Sequence, residues 1–145
     1  MNMKHFTGLQ LMQAMLNGDI PAPSITKTMP MTAIEVSQGS VTFEAFADER
    51  HLNPMGGVHG GFAATVLDSA TACAVHSALP AGVGYSTIDL NIKMVRPVPQ
   101  KQRLLAKGSV MNLSTSLGIA EATLTTEDGK LLATATASCL ILRGA

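Results

Sequence analysis

Apolar positions along this chain repeat first every three to four residues, then every second residue, and the two periods predict its elements. Residues 4 to 17 set Phe6, Leu9, Leu11, Met12, Met15 and Leu16 on one broad face and stop at Asn17-Gly18, which predicts an N-terminal helix within residues 1–18. The following DIPAPSITKTMP carries three prolines and no period, as expected of an extended connector. Alternation from Met31 to about Asp48, broken at Gln38-Gly39, predicts a hairpin. Residues 61–79 then form the longest helical stretch, apolar on most sides and stopped by Pro80 and Gly82, so this helix is expected to be buried. Alternation resumes in YSTIDLNIKMV, with Ile88, Leu90, Ile92 and Met94 in phase, and continues over Leu104–Met111, Leu117–Thr125 and Leu131–Leu142. The last two are joined across Asp128-Gly129, a pair suited to a tight hairpin turn.

The order is therefore helix, two strands, long helix, four strands. Without alternating strand-helix units, it predicts an α+β fold with an antiparallel sheet around one central helix. At 145 residues the chain reads as a single domain over 1–145, large enough to bury roughly 70% of its unfolded surface.

Composition narrows the function. Ten basic and ten acidic residues cancel and the basic ones are scattered, so no nucleic-acid footprint is expected. Charged residues make up only 14% of the chain, lean for a soluble monomer and suggestive of a buried subunit interface. Cys73 and Cys139 are not spaced as a metal pair and read as buried thiols in a reducing compartment. No window is apolar enough for a membrane span and the start lacks signal-peptide character, so a cytoplasmic location without membrane contact is expected.

The stretch NPMGGVHGG, residues 53–61, spends four of nine positions on glycine just before the central helix. A helix start gathers unpaired N–H groups and the positive end of the dipole, and can hold a developing negative charge. Gly60 and Gly61, lacking side chains, would let a carbonyl oxygen reach those groups. The phosphate-loop and dinucleotide fingerprints are both absent. Asp68 is the only charged residue of the helix before His76, and an acid amid Val66, Leu67 and Ala70 is a candidate base or nucleophile, or a carboxylate satisfied by local hydroxyls. Eight residues of helix separate it from Gly60, about 12 Å, too far for both to act on one carbonyl. Two copies packed about a two-fold axis would let Gly60 of one chain face Asp68 of the other.

Taken together, Asn53, Gly56, His59-Gly60-Gly61 and Asp68, nine residues after the histidine, resemble the acyl-CoA thioesterases of the hotdog fold, in particular the phenylacetic-acid-degradation type branch. The resemblance covers roughly residues 30 to 142. It implies that Gly60 supplies an oxyanion N–H, that His59 assists or orders the turn, and that Asn53 orients the carbonyl or attacking water. It further implies that Asp68 drives attack on an acyl-CoA thioester and that a hydroxyl from the next strand lies near the acid, with Thr87 the best match and Ser86 a close rival. Arg96 and Ser114-Thr115 match places where relatives meet coenzyme A. A homodimer at minimum, with a homotetramer as the family habit, and no cofactor beyond the coenzyme A of the substrate, complete what the resemblance implies. Hotdog-fold hydratases or dehydratases and non-catalytic acyl-CoA binders are the alternatives.

The four histidines and the acids do not fall at ligand spacing on one element, and no nucleophile elbow occurs. His51 and His76 read as structural. With four phenylalanines, one tyrosine and no tryptophan, the acyl pocket is expected to be lined by aliphatic and methionine side chains such as Met55, Leu67, Met94 and Met111, and to accept several acyl groups.

Overall fold

The structure is a computed structural model, and it describes residues 3–144. A short 3-10 turn at Met3–His5 precedes α1 (Gly8–Leu16), so the helix starts later than the apolar period suggests. Its start is fixed by Thr7, whose hydroxyl accepts the Gln10 N–H while the Gln10 side chain accepts the Thr7 N–H, a capping box that closes two otherwise unpaired donors. The proline-bearing connector is not wholly extended, since α2 (Ile25–Thr28) forms within it.

The hairpin of β1 (Met31–Ser37) and β2 (Ser40–Ala45) turns at Gly39, whose φ of +83° suits glycine. After α3 (Gly60–His76) come β3 (Val83–Met94), β4 (Leu104–Leu113), β5 (Leu117–Thr126) and β6 (Leu131–Arg143). All pairings are antiparallel and the order is β1-β2-β4-β5-β6-β3, the expected sheet curved around one long helix. β1 and β3 form its two edges.

Helix α3 lies very close to the sheet. Ala106, Ala122, Ala133 and Ala135 form much of the buried inner face, and at Gly108 an added Cβ would stand 2.1 Å from the Ala70 carbonyl oxygen, a clash no backbone adjustment of that size absorbs cheaply. The helix ends three residues before the expected Leu79. Ser77 donates to the Ala74 carbonyl and accepts the Gly39 N–H, while Ala78 and Leu79 bond back only three residues, tightening the last turn out of α geometry.

Strand β3 departs from the even alternation of its sequence. Thr87 pairs with Cys139 and Asp89 with Ser138, so Ile88 is the extra residue of a bulge. Ile88 is therefore out of phase with Leu90 and Ile92 and stands 59% exposed. The same irregularity turns Thr87 onto the helix-facing side.

Candidate active site

The turn before α3 is built almost entirely from hydrogen bonds within residues 48–61. Asn53 Oδ1 accepts the N–H groups of Met55 and Gly57, its own N–H donates to the Gly57 carbonyl, and its carbonyl accepts the Gly56 N–H. Gly56 can hold this loop because its φ is +85°. Asn53 thus spends its side-chain Oδ1 on the loop, while its amide Nδ2 meets no acceptor among the described residues.

His59 is the N-cap of α3, with Nδ1 accepting the Gly61 N–H at 2.8 Å and its carbonyl accepting the Phe62 N–H. The hydrogen of this ring therefore sits on Nε2. Gly61, expected to leave the helix start open to a substrate, has its own N–H occupied by this bond. The exposed Gly60 N–H has no acceptor among the described residues. One donor at the positive end of a 17-residue helix is left pointing to whatever approaches.

His51 holds the turn in place, a role that reading it as a generic structural histidine did not locate. It is 5% exposed. Nδ1 accepts the Asp48 N–H at 3.0 Å, and Nε2 meets the Thr28 carbonyl at 2.7 Å, so the neutral ring with its hydrogen on Nε2 fits both partners. Its ring packs on Phe62 at 4.9 Å, and its main-chain carbonyl accepts the His59 N–H at 2.7 Å. The only sequence signal was its position two residues before Asn53. Beside it, hydrogen bonds from Arg50 hold the Asp48 carboxyl well below the usual carboxylate range.

Asp68 sits part-way down α3, half-buried, with Oδ1 accepting the Thr87 hydroxyl at 2.9 Å. Oδ2 takes no hydrogen bond from a described residue. Thr87, rather than Ser86, is the hydroxyl beside the acid; Ser86 is exposed on the opposite side of the strand. Burial pushes the nearby Tyr85 hydroxyl and Cys139 thiol above their ordinary ranges, with the Asp68 charge adding to both shifts.

The other expected site residues do not converge within one chain. Arg96 donates to the Leu131 carbonyl at the start of β6. Ser114 donates to the Leu117 carbonyl, and the Thr115 carbonyl accepts from Arg143 at the end of β6, roughly 40 Å away along the strand. Nor do the expected apolar pocket residues meet: Leu67 lies fully inside the core, Met55 is 95% exposed, and Met111 occupies a bulge of β4. Met94 alone reaches the site, its terminal methyl 3.3 Å from where a Gly60 Cβ would be. A depression of about 440 Å³ lies on the outer sheet face among Lys93, Lys107 and Glu121, on the side away from Asp68.

Residues 55–133 match the thioesterase superfamily. A candidate esterase from Halobacterium salinarum is 44% identical over 73 residues, and the match spans only 47% of that protein and 49% of this chain. Human acyl-coenzyme A thioesterase 13 is 28% identical over 104 residues, 71% of this chain and 74% of that one. Among solved structures, a candidate thioesterase related to phenylacetic acid degradation from Ralstonia eutropha JMP134 superimposes with a TM-score of 0.81 at 33% identity, covering 89% of this chain and 98% of its own. These similarities identify the sheet wrapped around α3 as the hotdog fold.

Proposed function

The chain belongs to the thioesterase superfamily, and on that premise we propose that it hydrolyses acyl-CoA thioesters at a site shared by two copies of the chain. The single observation that carries this reading is the exposed, unpaired Gly60 N–H at the start of α3. In the proposed reaction that N–H receives the thioester oxygen as it becomes an oxyanion. Such a donor is worth about 10² to 10³ in rate.

Asp68 acts as general base. Thr87 fixes Oδ1 and leaves Oδ2 to take a proton from water. The water oxygen bonds to the acyl carbon, the C–S bond breaks, and the proton leaves with the coenzyme A thiolate, giving free acid and coenzyme A. A positioned base contributes about 10² to 10⁴. Incorporation of labelled water oxygen into Asp68 during a single turnover would instead mark it as the nucleophile.

Gly60 and Asp68 of one helix are about 12 Å apart, so the working pair comes from two chains. Two features favour such a dimer. The 12-residue β3 leaves one edge unpaired with Ile88 exposed on it, an invitation to pairing. The α3 face carrying Thr65, Asp68 and His76 is only half covered. A dimer is the minimum assembly and a tetramer the wider one. In this reading Arg96 and Ser114-Thr115 meet the coenzyme A phosphates, and only protein groups and water take part in the reaction, so full activity in a chelator is expected.

Thiol release from a panel of acyl-CoA esters, by wild type and Asp68→Asn in parallel, tests the reading. Release that falls by orders of magnitude in the folded variant supports it; no release from any ester by the wild type leaves acyl-CoA binding as the better account.

A further inference from the structure

A second feature of α3 bears on what the acyl group is. At the β1 edge of the sheet, opposite β3, a partly open cavity of about 200 Å³ is lined by Met12 and Met15 of α1, Ile25 of α2, Met31 of β1, and Ser69 and Cys73 of α3. No charged residue lines it. Burial, with the Asp68 charge as the next cause, pushes the Cys73 thiol up to about 12, so this wall is uncharged at neutral pH and still lies within reach of the Asp68 field.

A helix turns about 100° per residue. Asp68 therefore faces β3 and Thr87 while its neighbour Ser69 faces the cavity, and the two are a few ångströms apart around the helix. A thioester carbonyl held at Asp68 has the cavity beside it on the same chain. The cavity is largely apolar and open at one side, past the exposed Pro23 and Ile25, and it sits where the acyl tail needs room. An apolar cavity of about 150 Å³ accepts benzene, and a methylene takes up about as much room as a water at ~30 Å³, so this one holds roughly six to eight carbons. Three methionines line it, flexible and unbranched, which suits a bendable alkyl chain better than a flat ring.

We propose that the cavity between α1, α2 and the Ser69–Cys73 side of α3 receives the acyl tail, and that the preferred substrates are medium-chain fatty acyl-CoA esters of about eight carbons. This rests on the thioesterase reading above. Hydrolysis of acetyl-, hexanoyl-, octanoyl-, dodecanoyl- and phenylacetyl-CoA is compared for wild type, Cys73→Phe, which fills the cavity, and Met15→Ala, which enlarges it. Circular dichroism and thermal melts confirm folding.

Wild type should favour octanoyl-CoA. Cys73→Phe should lower the octanoyl-to-acetyl ratio of kcat/KM at least tenfold, and Met15→Ala should move the optimum toward dodecanoyl-CoA. An unchanged chain-length profile in both folded variants overturns the proposal while the thioesterase reading stands. So does a wild-type preference for phenylacetyl-CoA with octanoyl-CoA no better than acetyl-CoA. Octanoate binding by calorimetry separates the two readings. If no ester is hydrolysed but octanoate binds wild type and not Cys73→Phe, the cavity assignment holds and the hydrolytic one fails; if octanoate does not bind either, the cavity assignment fails too.

Discussion

The turn before α3 and the cavity beside it flank the same helix and are built in opposite ways. In residues 48–61 the turn is tied together through Asn53, His59 and His51, and the Gly60 N–H is left without an acceptor at the helix start among the described residues. Around the cavity the walls are methionine, isoleucine and a short helix whose N-cap, Ser24, makes no side-chain capping bond. A donor that stabilises an oxyanion must already be in place when charge develops. A wall that accommodates acyl chains gains from being adaptable. Under the proposed function, chemistry falls to the tied turn and chain-length selection to the methionine-lined cavity.

The sharpest break of this contrast is Asp68→Asn, which keeps the Thr87 contact and removes the base. The rate should fall about 10³-fold with folding intact, measured as kcat/KM on the best ester. Next, Gly60→Pro deletes the unpaired N–H at the first helical position, where proline is well tolerated and the preceding His59 is already extended at ψ 139°. Melting should stay near wild type while kcat drops about 10²-fold.

Loss of the brace comes third. His51→Ala removes the partner of the Thr28 carbonyl and of the Asp48 N–H, two part-buried bonds worth about 1 kcal/mol each, together with the ring packed on Phe62. Both the melting temperature and kcat should fall, and His51→Gln should restore part of each. Thr87→Val, which frees Oδ1, should cost about tenfold in rate with little change in stability, a loss of the order expected for one hydrogen bond to a charged group.

The smallest effect is in pH. Burial holds the His76 pKa below its usual 6.5, with its ring against Tyr85. The unfolded chain then binds the proton more readily than the folded one. The stability linked to His76 is full above about pH 6.5 and is lost as pH falls from there through the lower folded-state pKa. Thermal melts from pH 8 to 5 should show this decline, and His76→Gln should flatten it.

Much of the frame was legible because burial follows period: the order of α1, α3 and the six strands, most strand limits and the Asp128-Gly129 turn follow from alternation and turn chemistry, whereas α2 did not. What escaped were local hydrogen bonds that carry no period. Thr7 starts α1 through a capping box, Ser77 and its backbone bonds shorten α3, and the β3 bulge moves Ile88 out of phase while turning Thr87 to the acid. At the site, spacing singled out Gly60 and Asp68 as groups of interest. It could not show that the Gly61 N–H is consumed by His59, that Asn53 braces the loop, or that His51 anchors it, because each depends on which donor finds which acceptor in the folded turn.

The central claim is that Gly60 of one chain works with Asp68 of another, and subunit complementation tests it most directly. Asp68→Asn and Gly60→Pro proteins, each nearly inactive, are unfolded together, refolded as a mixture and assayed. If the site spans two chains, half of the dimers are mixed and each holds one intact site, so activity should return to about a quarter of wild type. If the mixture remains as inactive as its parents while size and melting show mixed dimers, the two groups belong to one chain and the account is wrong.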